Sequence, residues 1–222
     1  MRSAIAAALC LLLLPAAGCA RLFVPPPLAA RSETAAFDNG GYLGWTSPRF
    51  LVVKGSTLGG VAQERGTRIA VVSPDGLEYA TACTARRSLP RSVTHAGRTW
   101  TVPAAPEVIC VAKRDDAEVA QLELWMRDDL RQVGRLAAFG NIVEFGATGR
   151  IREGSAPPWR STHAVEAVYG YELELQGRPV GAVELLRPGT LYVDREVSDE
   201  ARRAVALTAT LLQSLHRSGL LQ

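Results

Sequence analysis

The chain has 222 residues, 47% of them hydrophobic and 21% charged, a balance that excludes an intrinsically disordered chain and suffices for one globule with a proper core. Its net charge of +3 is too small for a nucleic-acid-binding or polybasic membrane-binding surface, and it falls by one when Arg2 is removed. Only Lys54 and Lys113 are lysines, and this arginine excess in an Ala- and Gly-rich chain reads as the coding bias of a GC-rich genome.

The first element is a leader. Arg2 supplies one positive charge, an uninterrupted apolar run follows from Ala4 to Leu14, and small residues lead to Cys19. That is the order of an export signal, and about a dozen apolar residues fall short of the roughly 20 a spanning helix needs. The segment Leu14-Pro15-Ala16-Ala17-Gly18-Cys19 resembles the lipobox of bacterial lipoproteins, with Ala16 where Leu is commonest. The resemblance implies cleavage before Cys19, diacylglycerol on its thiol and two or three acyl chains on the mature N-terminus. Each buried methylene contributes roughly 0.8 kcal/mol and one chain holds a protein only marginally, so several chains anchor it firmly. Lipoproteins kept in an inner membrane commonly carry Asp after the Cys; Ala20 stands there, which implies a lipid-anchored protein of the cell envelope, on the outer membrane and facing the periplasm. The expected plan is residues 1–18 as signal peptide, 19–48 as lipidated N-terminus and Pro/Gly-rich tether, and 49–222 as a single β-rich domain.

Removing the first 18 of 222 residues leaves 204 and takes Cys10 away. With Cys19 acylated, Cys83 and Cys110 remain, and two cysteines left over in an exported chain most simply form a disulfide. There is no CxxC, and His95 and His163 lack ligand spacing, so neither a metal nor a cofactor is expected.

The stretch from Ala20 to about Pro48 contains Pro25-Pro26-Pro27 and Asp38-Asn39-Gly40-Gly41, the composition of an extended tether. Its aromatic residues Phe23, Phe37, Tyr42 and Trp45 predict that the second half is partly ordered. Strands are expected at Phe50 to Lys54, Arg68 to Val72 and Leu77 to Thr84, the last two joined by the turn Ser73-Pro74-Asp75-Gly76. Others are expected at Ser92 to Thr94, Thr99 to Val102 and Glu107 to Lys113. The segment Ala117 to Arg127 fits both periods: Val119, Leu122, Trp125 and Met126 suit a helix, while Ala120, Leu122, Leu124 and Met126 alternate as in a strand. Strand neighbours on both sides favour the strand. Gln132 to Leu136 and Asn141 to Phe145 follow, then a Gly/Pro-rich loop around Gly154 to Pro158, and a hairpin of Tyr169 to Leu175 and Pro179 to Leu186 across Gln176-Gly177-Arg178. After Pro188-Gly189 and a last strand, Thr190 to Val193, a helix runs from about Asp199 to His216 with Ser198 as N-cap and Gly219 beyond it. Ala204 to Leu212 carries no charge on any face, so this helix is the core.

The expected fold is mainly β, many short antiparallel strands in a barrel-like or strongly curved sheet, with one buried apolar C-terminal helix. An α+β sandwich with the helix on one sheet face is the alternative. Many antiparallel strands before a capped apolar helix, with Gly170-Tyr171-Glu172-Leu173, Gly177-Arg178-Pro179-Val180-Gly181 and Thr190-Leu191-Tyr192-Val193, resemble the C-terminal part of the tubby C-terminal-like superfamily. That resemblance implies a sheet wrapped round a central helix and includes lipid-binding and membrane-associated members, LURP-one relatives among them; none of their binding motifs can be placed here.

No GxSxG, GxxxxGK, GxGxxG or HExxH is present. Lys54-Gly55-Ser56-Thr57-Leu58-Gly59-Gly60 reads as a turn, Asp115-Asp116 and Asp128-Asp129 as solvated turn charges, and His95, His163 and His216 as surface or capping residues. No catalytic residue is expected. The reading that follows is a membrane-anchored, non-catalytic lipoprotein binding a lipid-like ligand inside the barrel or an envelope partner protein on its surface. An envelope hydrolase with an unfamiliar site and a purely structural surface lipoprotein are the alternatives.

Overall fold

A computed structural model describes residues 22, 24–35, 43–46, 50–55, 61–87, 91–95, 98–102, 106–127, 131–149, 168–185 and 189–221. Cys19 and the expected leader lie outside them, as do residues 154–158, which were expected to form a loop, residues 56–60, Asp128-Asp129 and His163.

The turns show why the middle of the chain is a meander of hairpins. Strands β8 (Pro106–Arg114) and β9 (Ala117–Met126) meet across Asp115-Asp116, whose φ angles of 51° and 64° are both positive. Strands β10 (Gln132–Ala138) and β11 (Asn141–Thr148) meet across Phe139-Gly140, and β12 (Gly170–Leu175) and β13 (Arg178–Glu184) across Gln176-Gly177, again with both residues at positive φ. A two-residue turn of this hand matches the natural twist of paired strands and sets the pairs beside it, after which the register shifts at Ala112/Lys113 in β8–β9 and at Leu173/Glu174 in β12–β13. The ambiguous segment is thereby a strand, and Asp115-Asp116 a turn.

The earlier strands are β1 (Ser32–Ala35), β2 (Leu43–Thr46), β3 (Phe50–Gly55), β4 (Val61–Val72), β5 (Glu78–Arg87), β6 (Arg91–His95) and β7 (Arg98–Val102); β14 (Leu191–Asp194) comes last. Among the described residues, strands β6 and β7 pair only with each other. The rest form one antiparallel sheet of 12 strands in the order β1-β14-β13-β12-β11-β10-β9-β8-β5-β4-β2, with β3 also paired to β4. Its two ends do not pair among the described residues.

The sheet curls because it has something to curl round. The long helix, Asp199–Arg217, is capped by the Ser198 hydroxyl accepting from the Ala201 N–H at 3.2 Å, and Gly219 at φ 68° ends it. It packs against β2 and β4 at one end of the sheet, β10 and β11 in the middle, and β13 and β14 at the other. Every residue from Ala204 to Leu215 is buried. Val205, Leu207, Leu211, Leu212 and Leu215 bring roughly 8–15 kcal/mol of gross burial energy, an upper bound. Thr208 and Thr210 are tolerated in this apolar setting because their hydroxyls donate to the Ala204 and Ala206 carbonyls, at 2.8 and 2.9 Å. The fold is the mainly β one expected, a curved open sheet about one C-terminal helix.

The inner face follows alternation: Tyr79, Thr81, Cys83 and Ala85 on β5, Val108, Cys110 and Ala112 on β8, and Ala120, Leu122 and Leu124 on β9 all point inward. Cys83 and Cys110 stand directly opposite, Cα atoms 4.0 Å apart, and form a disulfide. On β10, Gly134 leaves room for the ring of its cross-strand neighbour Phe145, which would lie 2.4 Å from a Cβ there. Phe145 in turn meets Tyr171 edge to face at 5.7 Å, and the buried Tyr171 hydroxyl donates to Gln132 Oε1 at 2.7 Å. Burial pushes the Tyr171 phenol well above its ordinary pKa.

Part of the stretch expected as a tether is folded. A short helix, Pro26–Arg31, starts on the fixed φ of its prolines, and β1 adds to the edge of β14. Leu22 and Leu28 are buried, at 3% and 2% exposure. Arg31 Nε donates to Asp194 Oδ2 at 2.6 Å, and Arg178 Nη2 reaches the same oxygen at 2.9 Å. Burial raises the Asp194 carboxyl, but the Glu196 N–H at 3.0 Å and the two guanidinium groups outweigh it and hold the group below the usual carboxylate range.

Candidate functional site

With α2, the Asp199–Arg217 helix, filling the concave side, the hollows among the described residues lie on the convex side of β9–β12. Register sorts the outward residues into two rows. Trp125, Val133, Gly146 and Glu172 form one, and Glu123, Arg135, Glu144 and Glu174 the other. Gly146 contributes no side chain, and where its row dips, a hollow of about 630 Å³ opens between Trp125, Val133, Arg131, Arg135, Glu144 and Glu172.

Its charges are unevenly matched. Arg135 gives both Nε, at 2.9 Å, and Nη2, at 2.8 Å, to Glu123 Oε2, while Gln121 Nε2 holds the other oxygen at 2.8 Å. Arg131 lies over Gly146, donates from Nε to the Ala147 carbonyl at 2.8 Å and approaches Glu172 Oε2 at 3.8 Å. Glu144 and Glu174 stand directly opposite one another on β11 and β12, and neither makes an ion pair among the described residues. Like charges facing across a sheet cost stability, so sheet energetics alone do not account for this pair. Trp125 is 37% exposed at one side of the hollow and Ile142, 57% exposed, stands beyond Glu144. A second hollow of about 530 Å³ shares Glu144 and runs past Asn141 and Ile142 to Gln176. Carboxylates beside an exposed indole suit a cationic side chain, which the indole face also attracts.

The residues singled out from the sequence are not brought together here. The Cys83–Cys110 disulfide faces the core, far from the hollow's side of the sheet. Asp115-Asp116 occupies a hairpin tip, His95 falls on β6, and His216 sits half-buried near the end of α2, its pKa lowered by desolvation and by Arg217. Among the described residues no three of His, Cys, Asp and Glu gather as a metal site. Sequence reasoning missed Trp125, Arg135 and Glu144 as a group; the alternation of β9 put Trp125 opposite Leu124, but only the strand order makes these three neighbours. Compared with known protein families, curated proteins and solved structures, the chain finds no match.

Proposed function

We propose that this chain is a non-catalytic lipoprotein of the cell envelope, exported by residues 1–18, acylated at Cys19 and anchored in the outer membrane toward the periplasm, whose domain binds an envelope partner protein through the convex face of β9–β12. The observation that carries the binding mode is the helix: residues Ala204 to Leu215 occupy the concave side, and a lipid-like ligand held there would have to displace them. The hollow beside Trp125, with its opposed Glu144 and Glu174, offers a surface for recognition. A disulfide in the core suits an oxidising compartment and supports export. The buried carboxylate of Asp194, with its partly exposed partners Arg31 and Arg178, is committed to holding the fold, which supports a non-catalytic role. The kinship proposed with the tubby C-terminal-like superfamily brings no ligand with it.

The test uses the full chain expressed with its leader. Wild type is expected in the membrane fraction with a mass that includes acyl chains on Cys19, and Cys19→Ser in the soluble fraction. In-cell cross-linking is expected to give a discrete adduct with wild type that Trp125→Ala/Glu144→Ala loses while its circular dichroism is unchanged. An unacylated wild type, or turnover of peptidoglycan or lipid ester by purified protein, would defeat the reading.

A further inference from the structure

Leu22 is three residues past Cys19 and already belongs to the folded body. Its side chain is 3% exposed, and its Cδ atoms come within 2.8 and 2.9 Å of where a Cβ on Gly170 would stand, so glycine there makes its socket. Its N–H donates to Glu184 Oε1 at 3.1 Å, a carboxylate that is itself buried. An extended chain advances at most about 3.6 Å per residue, so the Cys19 Cα lies within about 11 Å of the Leu22 Cα in any conformation of the residues between.

That short leash ends at one pole of the molecule. Gly170 begins β12, its register partners Thr148 and Glu184 end β11 and β13, and the carboxyl end of α2 arrives alongside, where Gln213 Nε2 donates to the Glu184 carbonyl at 2.9 Å. The opposite pole carries the turns at Asp75, Asp115-Asp116, Phe139-Gly140 and Gln176-Gly177, and the amino end of α2. Charge does not separate the poles: Arg127, Arg131 and Arg217 stand with Glu172 and Glu184 toward the Leu22 end, while Asp75, Asp115, Asp116, Asp199 and Glu200 share the far end with Arg178, Arg202 and Arg203.

We infer that the pole formed by Leu22, Gly170 and the last turn of α2 is seated on the headgroups of the bilayer that holds the acyl chains. The inference rests on acylation of Cys19 and adds what acylation alone does not give, an orientation. A domain on a long tether samples every attitude to the membrane, whereas one gripped at Leu22 keeps this pole down. The strands then stand up from the membrane, with the hollow beside Trp125 on their flank, open to a partner approaching along the surface.

The two ends of α2 report the orientation, since Glu200 and Arg217 are both exposed and lie about 26 Å apart along the helix axis. The full-length acylated protein, carrying the photoreactive residue p-benzoylphenylalanine in place of Arg217 or of Glu200, is reconstituted in vesicles of phosphatidylethanolamine and phosphatidylglycerol. After irradiation, lipid adducts at position 217 are expected to exceed those at 200 by about ten-fold. A flexible Gly-Ser insert of about twelve residues between Ala20 and Arg21 is expected to abolish most of that bias while leaving the protein vesicle-bound. Equal adducts at the two positions, or a bias the insert leaves untouched, overturn the inference. The intact mass of the same sample separates the premises: absent acyl chains refute the anchor, and acylated protein with equal adducts refutes the orientation alone.

Discussion

Replacing Cys83 and Cys110 together by alanine tests the register of β5 and β8 and the compartment in which the chain folds. The two half-cystines face the helix, each 1% exposed, and their bridge closes 27 residues of chain that include the β6–β7 hairpin. In the chain-entropy treatment a closed loop of that length restricts the unfolded ensemble by about 3.5 kcal/mol. Trimming two buried sulfurs removes packing as well, at about 1 kcal/mol or less apiece. The double variant is therefore expected to be about 4–5 kcal/mol less stable than oxidised wild type. Urea melts followed by circular dichroism divide the sum, because wild type melted in reductant loses the chain-entropy part alone. The slope of free energy against urea is expected to rise in both uncrosslinked forms, since their unfolded chains expose more surface. Reductant meets these sulfurs only after the sheet opens, so reduction of native protein is expected to track unfolding. A reductant effect under about 1 kcal/mol, or free thiols titrated in protein purified without reductant, would refute the reasoning.

Asp194 predicts an acid limb. Its folded pKa is depressed, so the stability it contributes is present above the unfolded carboxylate value near 4 and is lost as pH falls toward the folded one. Asp194→Asn is expected to cost about 1.5–3 kcal/mol at pH 7, discounted for the half-exposed guanidinium partners, and to flatten the dependence of the urea midpoint on pH below 4; an unchanged acid slope would contradict it. Gly134→Ala and Gly146→Ala separate two kinds of glycine. A methyl on Gly134 meets the Glu123 carbonyl oxygen and the Phe145 ring, fixed groups both, and is expected to destabilise by more than 2 kcal/mol. The atoms nearest a methyl on Gly146 are those of the flexible Arg131 guanidinium, which can shift, so the cost is expected to stay under about 1 kcal/mol; thermal melts of equal midpoint would show the packing argument to be wrong.

What the sequence made legible was local. The Ser73-Pro74-Asp75-Gly76 turn, the Gln176-Gly177 hairpin and the capped helix are written in the residues that form them, and the helix's lack of any charged face announced its burial. The strand at β9 was harder because its apolar residues satisfy two periods, and the two positive φ angles at Asp115-Asp116 that decide the matter are a property of paired strands. β1 left no trace at all. Of Ser32, Glu33, Thr34 and Ala35 only Thr34 has a strand preference, and the segment is a strand because β14 offers an edge, so composition marked it as tether. The hollow was hidden for a related reason: alternation tells which side of a strand a residue takes, not which strand lies next to it. The buried carboxylates Asp194 and Glu184 also escaped notice, because in the sequence a charge that grips an N-terminal segment looks like any other.

The pairing of Ser32 with Asp194 spans 162 residues, against two-residue turns for three of the hairpins between β8 and β13. Local hairpins close in microseconds, whereas contacts between distant parts of a chain wait on a long loop closure. A polypeptide emerging amino end first thus presents β1 before anything else and places it last, after β14 exists to receive it. Until then the β14 edge is an open template for pairing with another chain, a hazard that the docking of β1 removes. Leu22 likewise finds its seat only once β12 and β13, which carry Gly170 and Glu184, have come together.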